Sequence, residues 1–200
     1  MAAFILVVGL MAAAAFIGNA IGSTARSEYM NQAATLASEK LEDLNRWPAA
    51  YNVNTGLDSG DPHVIVTNGV SAGSLTADVV QNVTANGTTE AVNYYDLVYF
   101  SPSQGSLEEI VSSLDPLGNP QYTTIIHPAT GMLQDPPPPP SSTLPSVTGA
   151  IGFKRRWIIE FNPSVAGSQV TGVRRITVEV DLQNVFVQPA VQFQMSIVRP

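Results

Sequence analysis

The chain has 200 residues, of which 44% are hydrophobic and only 12% charged, with a formal net charge of −7 and no cysteine. The lack of cysteine excludes disulfide scaffolds, thiolate metal sites and cysteine nucleophiles. The low charged fraction, against about 25% in a typical domain, predicts a surface built largely from Ser, Thr, Asn, Gln and Gly.

The first predicted element is an apolar helix, since no charged residue occurs from Met1 to Ala25. Some 22 residues of helix span roughly 33 Å, about the hydrocarbon thickness of a bilayer. The run is longer than that of a secretory signal peptide and has no basic start. It is interpreted as a membrane helix, either a plain single-span anchor or an anchor that later becomes a packing element. The packing residues expected in the second case are Phe4, Leu6, Val7, Leu10, Met11, Phe16, Ile17, Gly18 and Gly22.

Gly18 and Gly22 have the spacing of a GxxxG motif. Such a pair lets helix backbones approach closely in a membrane and also lowers helix propensity. A chance pair in a Gly- and Ala-rich segment gives the same pattern, and both interpretations stay open.

The helix is predicted to continue to Trp47, because Pro48 is the first residue that must end it. Apolar residues at spacings of three and four form one stripe, and the charged residues, Lys40 included, are assigned to the other faces. The result is one helix of about 47 residues that is apolar all round at first and amphipathic later. The residues expected to pack against a following domain are Tyr29, Ala33, Leu36, Leu41, Leu44 and Trp47.

The chain is therefore divided into a helix over residues 1–48 and a β-rich outer domain over residues 49–200. The predicted strands are His63–Thr67, Leu75–Val83, Val92–Phe100, Gln121–His127, Phe153–Asn162, Val173–Leu182 and Ala190–Val198. The sixth alternates apolar and polar residues and is expected to be a half-buried antiparallel strand. The predicted fold class is α+β, a long N-terminal helix packed on an antiparallel sheet. Residues 135–145, with five consecutive prolines, are expected to form a stiff surface connector, or less readily a ligand for a proline-binding module.

Three segments resemble type IV pilins and pseudopilins, in particular their minor, pilus-modification-type branch. AATLASEKLEDLNRW is similar to the amphipathic helix of that branch, VRRITVEVDL to its "KRITVTV" strand, and FKRRWIIEF to the strand before it. Together with the apolar segment they cover about half of the chain, and residues 51–150 have no counterpart.

The sequence departs from the pilin pattern at its start. Mature pilins usually carry a glutamate at position five, whereas Ile5 stands here and no leader precedes Met1. Aligning Gly9 with the glycine common in this branch places Met1 inside the mature helix, so we expect either that Met1 is an internal start or that the true beginning is absent. If Met1 is the mature end, glutamate-guided assembly does not carry over, and archaeal-type pilins are the better comparison.

The resemblance implies a structural subunit of an extracellular filament that polymerises with copies of itself, with a membrane-inserted pool before assembly. Its implied partners are the lipid bilayer, the assembly machinery in the membrane and neighbouring subunits. The alternatives are a type II secretion pseudopilin, a low-copy minor pilin, or a membrane-anchored adhesive domain that never polymerises. No enzymatic activity and no cofactor are expected.

Motifs for catalysis and metal binding are weak. Gly69–Gly73 matches the G-x-S-x-G nucleophile elbow, but that motif needs a helix after it and a strand is predicted there. His63 and His127 lack a second histidine at ligand spacing, so no metal site is expected. Asp58 and Asp61 indicate a turn more readily than a calcium site.

Two surface features remain. Asn82 and Asn86 begin N-x-[ST] sequons and are candidate glycosylation sites. Residues 51–150 contain nine acids and no Lys or Arg, whereas residues 151–200 contain six basic residues against three acids. The basic residues on the predicted neighbouring strands are expected to form a patch that meets acids of the next subunit. Nucleic acid is not expected as its partner, given the net charge. The patch residues are Lys154, Arg155, Arg156, Arg174 and Arg175.

Overall fold

The computed structural model describes residues 2–46, 71–85, 88–101, 106–114, 119–127, 139–143, 151–183 and 191–199. Helix α1 covers Ala2–Arg46 without interruption. Its 45 residues give a rod of about 68 Å. The single long helix predicted from the sequence is confirmed over this range, whereas Trp47 and Pro48 lie outside the described residues.

Eleven strands follow α1 in the described part of the chain. They are β1 (Ala72–Gly73), β2 (Val80–Ala85), β3 (Thr88–Asn93), β4 (Tyr95–Ser101), β5 (Ser106–Leu114), β6 (Pro120–His127), β7 (Ile151–Phe161), β8 (Ser164–Val165), β9 (Ser168–Gln169), β10 (Arg174–Leu182) and β11 (Gln192–Arg199).

The main sheet is antiparallel and has the order β11-β10-β7-β4-β5-β6, with β1 pairing β7 beyond the end of β4. The pairs β2-β3 and β8-β9 form separate two-stranded hairpins. Since α1 packs on this sheet, the predicted α+β class and the helix-on-sheet arrangement are confirmed.

The core lies between the second half of α1 and one face of the sheet, here called the inner face. Inner-face side chains of β7 and β10 alternate with those of the opposite, outer face, as the pleat requires. The buried residues of this core include Ala33, Leu36, Ala37, Leu41 and Leu44 of α1 and Phe153, Trp157, Ile159, Ile176, Val178 and Val180 of the sheet.

The expectation that β10 is buried on one face only is corrected. Its inner residues pack in the core, but Thr177 and Glu179 of the outer face are also buried. β10 lies between β7 and β11, and the Thr177 hydroxyl hydrogen-bonds that of Ser196 at 2.8 Å. Ser196 of β11 thus contacts the outer face of this strand on one side, and Arg156 of β7 donates a hydrogen bond to Asp181 on the other, at 2.8 Å.

Four predicted strands agree with β6, β7, β10 and β11 to within two residues at each end. The predicted strand Val92–Phe100 is wrong as one element, because the chain changes partners at Tyr94. The Tyr94 N–H donates to the Val79 carbonyl at 2.9 Å, and the Trp157 N–H donates to the Tyr94 carbonyl at 3.1 Å. β3 before it pairs with β2, and β4 after it joins the main sheet.

The predicted strand at Leu75–Val83 begins only at Val80, since the chain turns first at Ser74, whose hydroxyl accepts from the Thr76 N–H at 3.2 Å. His63–Thr67 lies outside the described residues, as does most of 135–145. Ser141 of that connector pairs with Tyr122 of β6 through two backbone hydrogen bonds of 2.7 and 2.8 Å.

Gly73 allows β1 to lie against β7. Its φ of +87° is in the left-handed region, and an added Cβ would lie 2.2 Å from the Trp157 carbonyl oxygen. Glycine is the residue that tolerates both conditions. The chain after Gly73 leads through bends into β2 rather than into a helix, so the context of a nucleophile elbow is absent from this described stretch.

Candidate functional site

The first half of α1 is exposed along its described length. Large apolar side chains project from it, from Val7 at 52% exposure to Phe16 at 75%. The others of this kind are Leu10, Met11, Ile17 and Ile21. Ala12–Ala15, Gly18 and Gly22 are exposed as well. Phe4 and Leu6 belong to α1, but their side chains lie outside the described residues.

A membrane-spanning helix was expected in this part of the chain. Across the residues that the structure describes, none of the helical sequence has both the length and the apolar character required to span a bilayer.

The second half of α1 is docked on the sheet. Ala33, Leu36, Leu41 and Leu44, expected to pack against the domain, are all buried against β7, β10 and β11. Tyr29 is half-buried at the edge of the same core. The structure thus brings five of the expected packing residues together in one layer, while Trp47 lies outside the described residues.

A group of charged side chains lies within this layer and was not predicted. It consists of Lys40 of α1, Asp96 of β4, Glu109 of β5 and Arg155 of β7, and is called the ion cluster here. Arg155 Nε and Nη2 donate to the two carboxylate oxygens of Asp96, each at 2.6 Å. Arg155 Nη2 also donates to Glu109. Asp96 and Arg155 are 1% and 3% exposed, so the ion cluster is part of the protein interior.

Lys40 joins the ion cluster to α1. Its ammonium lies 3.3 Å from Asp96 Oδ2 and 4.3 Å from the centroid of the Trp157 ring. A cation over an aromatic face is attracted by the ring quadrupole, and more strongly when shielded from water. The assignment of Lys40 to a solvent face of the helix is therefore wrong, since its side chain is only 11% exposed.

The charges within the ion cluster compensate one another. Burial alone would lower the pKa of Arg155, but the neighbouring charges of Asp96 and Glu109 outweigh burial and raise this pKa above its ordinary value. Two cations face two carboxylates, so the interior holds no net charge when all four groups are ionised. Such neutrality is what permits charged groups to remain buried.

The expected basic patch is corrected. Its residues do lie on the adjacent strands β7 and β10, but Arg155 and Arg174 are buried. Lys154 and Arg156 each contact Asp78, at 2.7 and 2.9 Å, and Arg156 also contacts Asp181.

Arg175 makes two hydrogen bonds to Glu160, at 2.6 and 2.9 Å. Four of the five basic side chains thus pair with acids of the same chain, and the fifth, Arg174, is buried, so they do not form an exposed cationic surface. Asp78 could not be identified as a partner from the sequence, because it lies 76 positions from Lys154. Glu160 and Asp181 lie on the same two strands as the basic residues, and the regular alternation of those strands was the available sign of their pairing.

The remaining expectations concern single residues. Asn82 lies exposed on β2 and is accessible for modification, whereas Asn86 lies outside the described residues. His127 ends β6, and His63, Asp58 and Asp61 are outside the described residues. The described part of the chain contains no group of three or more His, Cys, Asp or Glu side chains that could hold a metal ion.

Comparison with known proteins gives no match to a family model, to a curated protein or to a solved structure.

Proposed function

We propose that this chain is a structural subunit of an extracellular filament of the type IV pilin kind. In this proposal the exposed half of α1 forms the filament core with the same half of neighbouring copies. The sheet then faces outward. The partners are copies of the chain, the lipid bilayer before assembly, and the assembly machinery in the membrane.

One observation carries the proposal: a continuous apolar helix extends from the domain and, in the described residues, is exposed. The row of side chains from Val7 to Ile21 is far larger than the scattered apolar residues of an ordinary surface, and such a row marks an interaction site. Burying a large aliphatic or aromatic side chain contributes about 1.5 to 3 kcal/mol relative to water. Six such residues supply ample free energy for association with lipid or with other helices.

The composition of the row favours helix–helix packing. Ala12–Ala15, Gly18 and Gly22 supply small side chains between the large ones, and small residues let neighbouring helices approach closely where lipid offers no hydrophobic driving force. In the free chain, an added Cβ at Gly18 or Gly22 would meet nothing within 4 Å. The free space at these glycines is therefore available to a neighbouring helix.

A basic patch is not among the proposed subunit contacts, because Lys154, Arg156 and Arg175 already pair with acids of the same chain. A secretion pseudopilin or a low-copy minor pilin would use the same helix in a shorter or rarer assembly. A membrane-anchored domain that never polymerises would use it only in lipid.

The test is mass spectrometry of filaments sheared from the cell surface, with Ala13→Glu as the disrupting variant. A charge at this exposed position should remove the chain from the filaments, because an unpaired carboxylate between apolar helices is unfavourable. Gln169→Glu, in the exposed β8-β9 hairpin, is the matched control and should assemble normally. If Ala13→Glu filaments persist, the assignment of the core is wrong. If the unmodified chain occurs only in membranes, the non-polymerising anchor is the better description.

A further inference from the structure

The apolar contact between α1 and the sheet specifies the position of the helix only weakly. Ala33, Ala37 and Leu41 recur every four residues and belong to the same core cluster as aliphatic side chains of β7 and β10. Moving the helix by four residues would place Ala33 where Ala37 lies and Ala37 where Leu41 lies. The first exchange conserves volume, whereas Ala37 in the place of Leu41 would leave a cavity, so the apolar layer opposes the slip only in part.

The charged contact cannot be repeated in this way. Among the side chains of α1 that the structure describes, Lys40 is the one charged group that is not exposed. Leu36 and Leu44, one turn away on either side, cannot replace its contacts with Asp96 and Trp157. A slip of four residues would move the ammonium about 6 Å along the helix axis, away from Asp96 and among apolar side chains.

The acceptor for Lys40 is itself held in place. Asp96 is fixed by two hydrogen bonds from Arg155, whose Nη2 also donates to Glu109. Bidentate pairs of this kind add geometric specificity. Three strands of the sheet thus present one carboxylate at one point of the inner face, and one residue of α1 meets it.

We propose that the ion cluster sets the register of α1 on the sheet, and that it does so with little net contribution to stability. Buried ion pairs often add no stability over apolar residues of similar volume, and their best-attested role is to select one arrangement among similar ones. The register determines how much of the apolar half projects beyond the sheet: one turn of slip changes this by about 6 Å. This inference concerns the single chain and does not depend on filament assembly.

The experiment measures distances between spin labels in the full chain in detergent. The chain has no cysteine, so cysteine pairs can be introduced without background. One label replaces exposed Gln194 of β11 (Gln194→Cys), and the other replaces exposed Asn31 or Glu42 of α1 (Asn31→Cys or Glu42→Cys). With helix labels at two positions along the axis, a slip must change at least one distance.

Two variants remove the charged contact. Lys40→Met removes only the helix side and leaves Asp96 paired with Arg155. The second variant replaces all four groups by apolar residues: Lys40→Met, Asp96→Leu, Glu109→Leu and Arg155→Met. The unmodified chain should give one narrow distance for each pair, whereas both variants should add a second distance shifted by up to about 6 Å. The control, Arg175→Met with Glu160→Met, removes an outer-face ion pair and should keep the single distance.

The proposal is overturned if Lys40→Met keeps only the original distances, since the apolar stripe would then set the register. It is also overturned if the variant with all four groups replaced unfolds the chain, because the ion cluster would then be a requirement for stability. If Lys40→Met alone unfolds, because it leaves two carboxylates against one buried cation, the distances in the fourfold variant decide. Filament formation is not measured here, so failure of this inference is distinguishable from failure of the proposed function.

Discussion

The two halves of α1 both carry large apolar side chains, but these side chains have opposite surroundings. In the first half, Leu10 and Phe16 project from the helix, whereas in the second half Leu36 and Leu44 are fully buried. The first half is apolar on all faces, while the second has one apolar stripe between polar faces. One sheet can bury an apolar stripe, but a helix that is apolar on all faces needs partners on every side to be buried. The difference indicates which half belongs to the domain and which half is left for association.

The largest expected loss of stability comes from breaking the ion cluster beneath the docked half of α1. Asp96→Ala should destabilise the chain by about 3 to 5 kcal/mol, because it leaves Arg155 buried without its bidentate partner. Chemical denaturation measures the change. Asp78→Ala is the matched control, since Asp78 also pairs with two cations but lies on the surface, and it should lower stability by less than about 1 kcal/mol. Equal losses for both variants would contradict the importance of burial.

The next prediction compares one leucine from each half. Leu36→Ala should lower the free energy of unfolding by about 2 to 5 kcal/mol, since it removes a fully buried side chain from the core. Leu10→Ala should change the unfolding of the unassembled chain by no more than about 0.5 kcal/mol. The same variant should reduce the amount of filament, because Leu10 is proposed to pack between subunits. A large loss of monomer stability from Leu10→Ala would mean that the first half of α1 is already docked.

The sequence predicts the helix and its docked face well, because a spacing of three and four in Ala33, Leu36 and Leu44 has no other simple explanation. The sequence pattern does not predict strand β5, because the apolar residues there have the spacing of a helix. These residues are Leu107, Ile110, Val111 and Leu114. There the pairing with β4 and β6 overrides the local pattern.

The ion cluster could not be predicted either, because its members lie on four elements and its polar residues look like surface residues when read singly. Arg155 lies two residues from buried Phe153 and two from buried Trp157 along β7, and so on the same face of the strand. This period of two was the one available sign that its side chain faces inward. The partners Asp96 and Glu109 depend on strand order, which periodicity does not give.

The two glycines of the exposed half should respond oppositely before and after assembly. Gly18→Ala and Gly22→Ala should each stabilise the helix of the unassembled chain by about 0.5 to 1 kcal/mol, because an added Cβ meets nothing there. Assembly should nevertheless weaken if the glycines allow close approach of neighbouring helices. Circular dichroism in detergent measures the first effect, and the yield of sheared filament measures the second. Unchanged filament yield would favour a chance pair of glycines.

The smallest effects belong to the outer face of the sheet, behind the docked half. Burial, reinforced by the charge of Asp181 and opposed by a hydrogen bond from Gln192, raises the pKa of Glu179 above its ordinary value of 4.5. For Asp78, burial alone would raise the pKa, but hydrogen bonds from Lys154 and Arg156 outweigh it and lower the pKa below 3.8.

These two pKa shifts change the stability of the fold in opposite directions as the pH rises. As the pH rises through the pKa of Glu179, the unfolded chain has already released a proton that the folded chain still binds, so ionised Glu179 lowers stability. Glu179→Gln should therefore gain about 0.5 kcal/mol at neutral pH, and the gain should vanish as the pH falls below 4.5. Asp78→Asn should lose stability at neutral pH, and this loss should vanish as the pH falls through the lowered pKa of Asp78. Denaturation curves from pH 3 to pH 7 measure both differences. If the two variants instead change stability in the same direction with pH, Glu179 and Asp78 do not titrate independently. The pH dependence of stability would then be assigned to the ion cluster beneath α1.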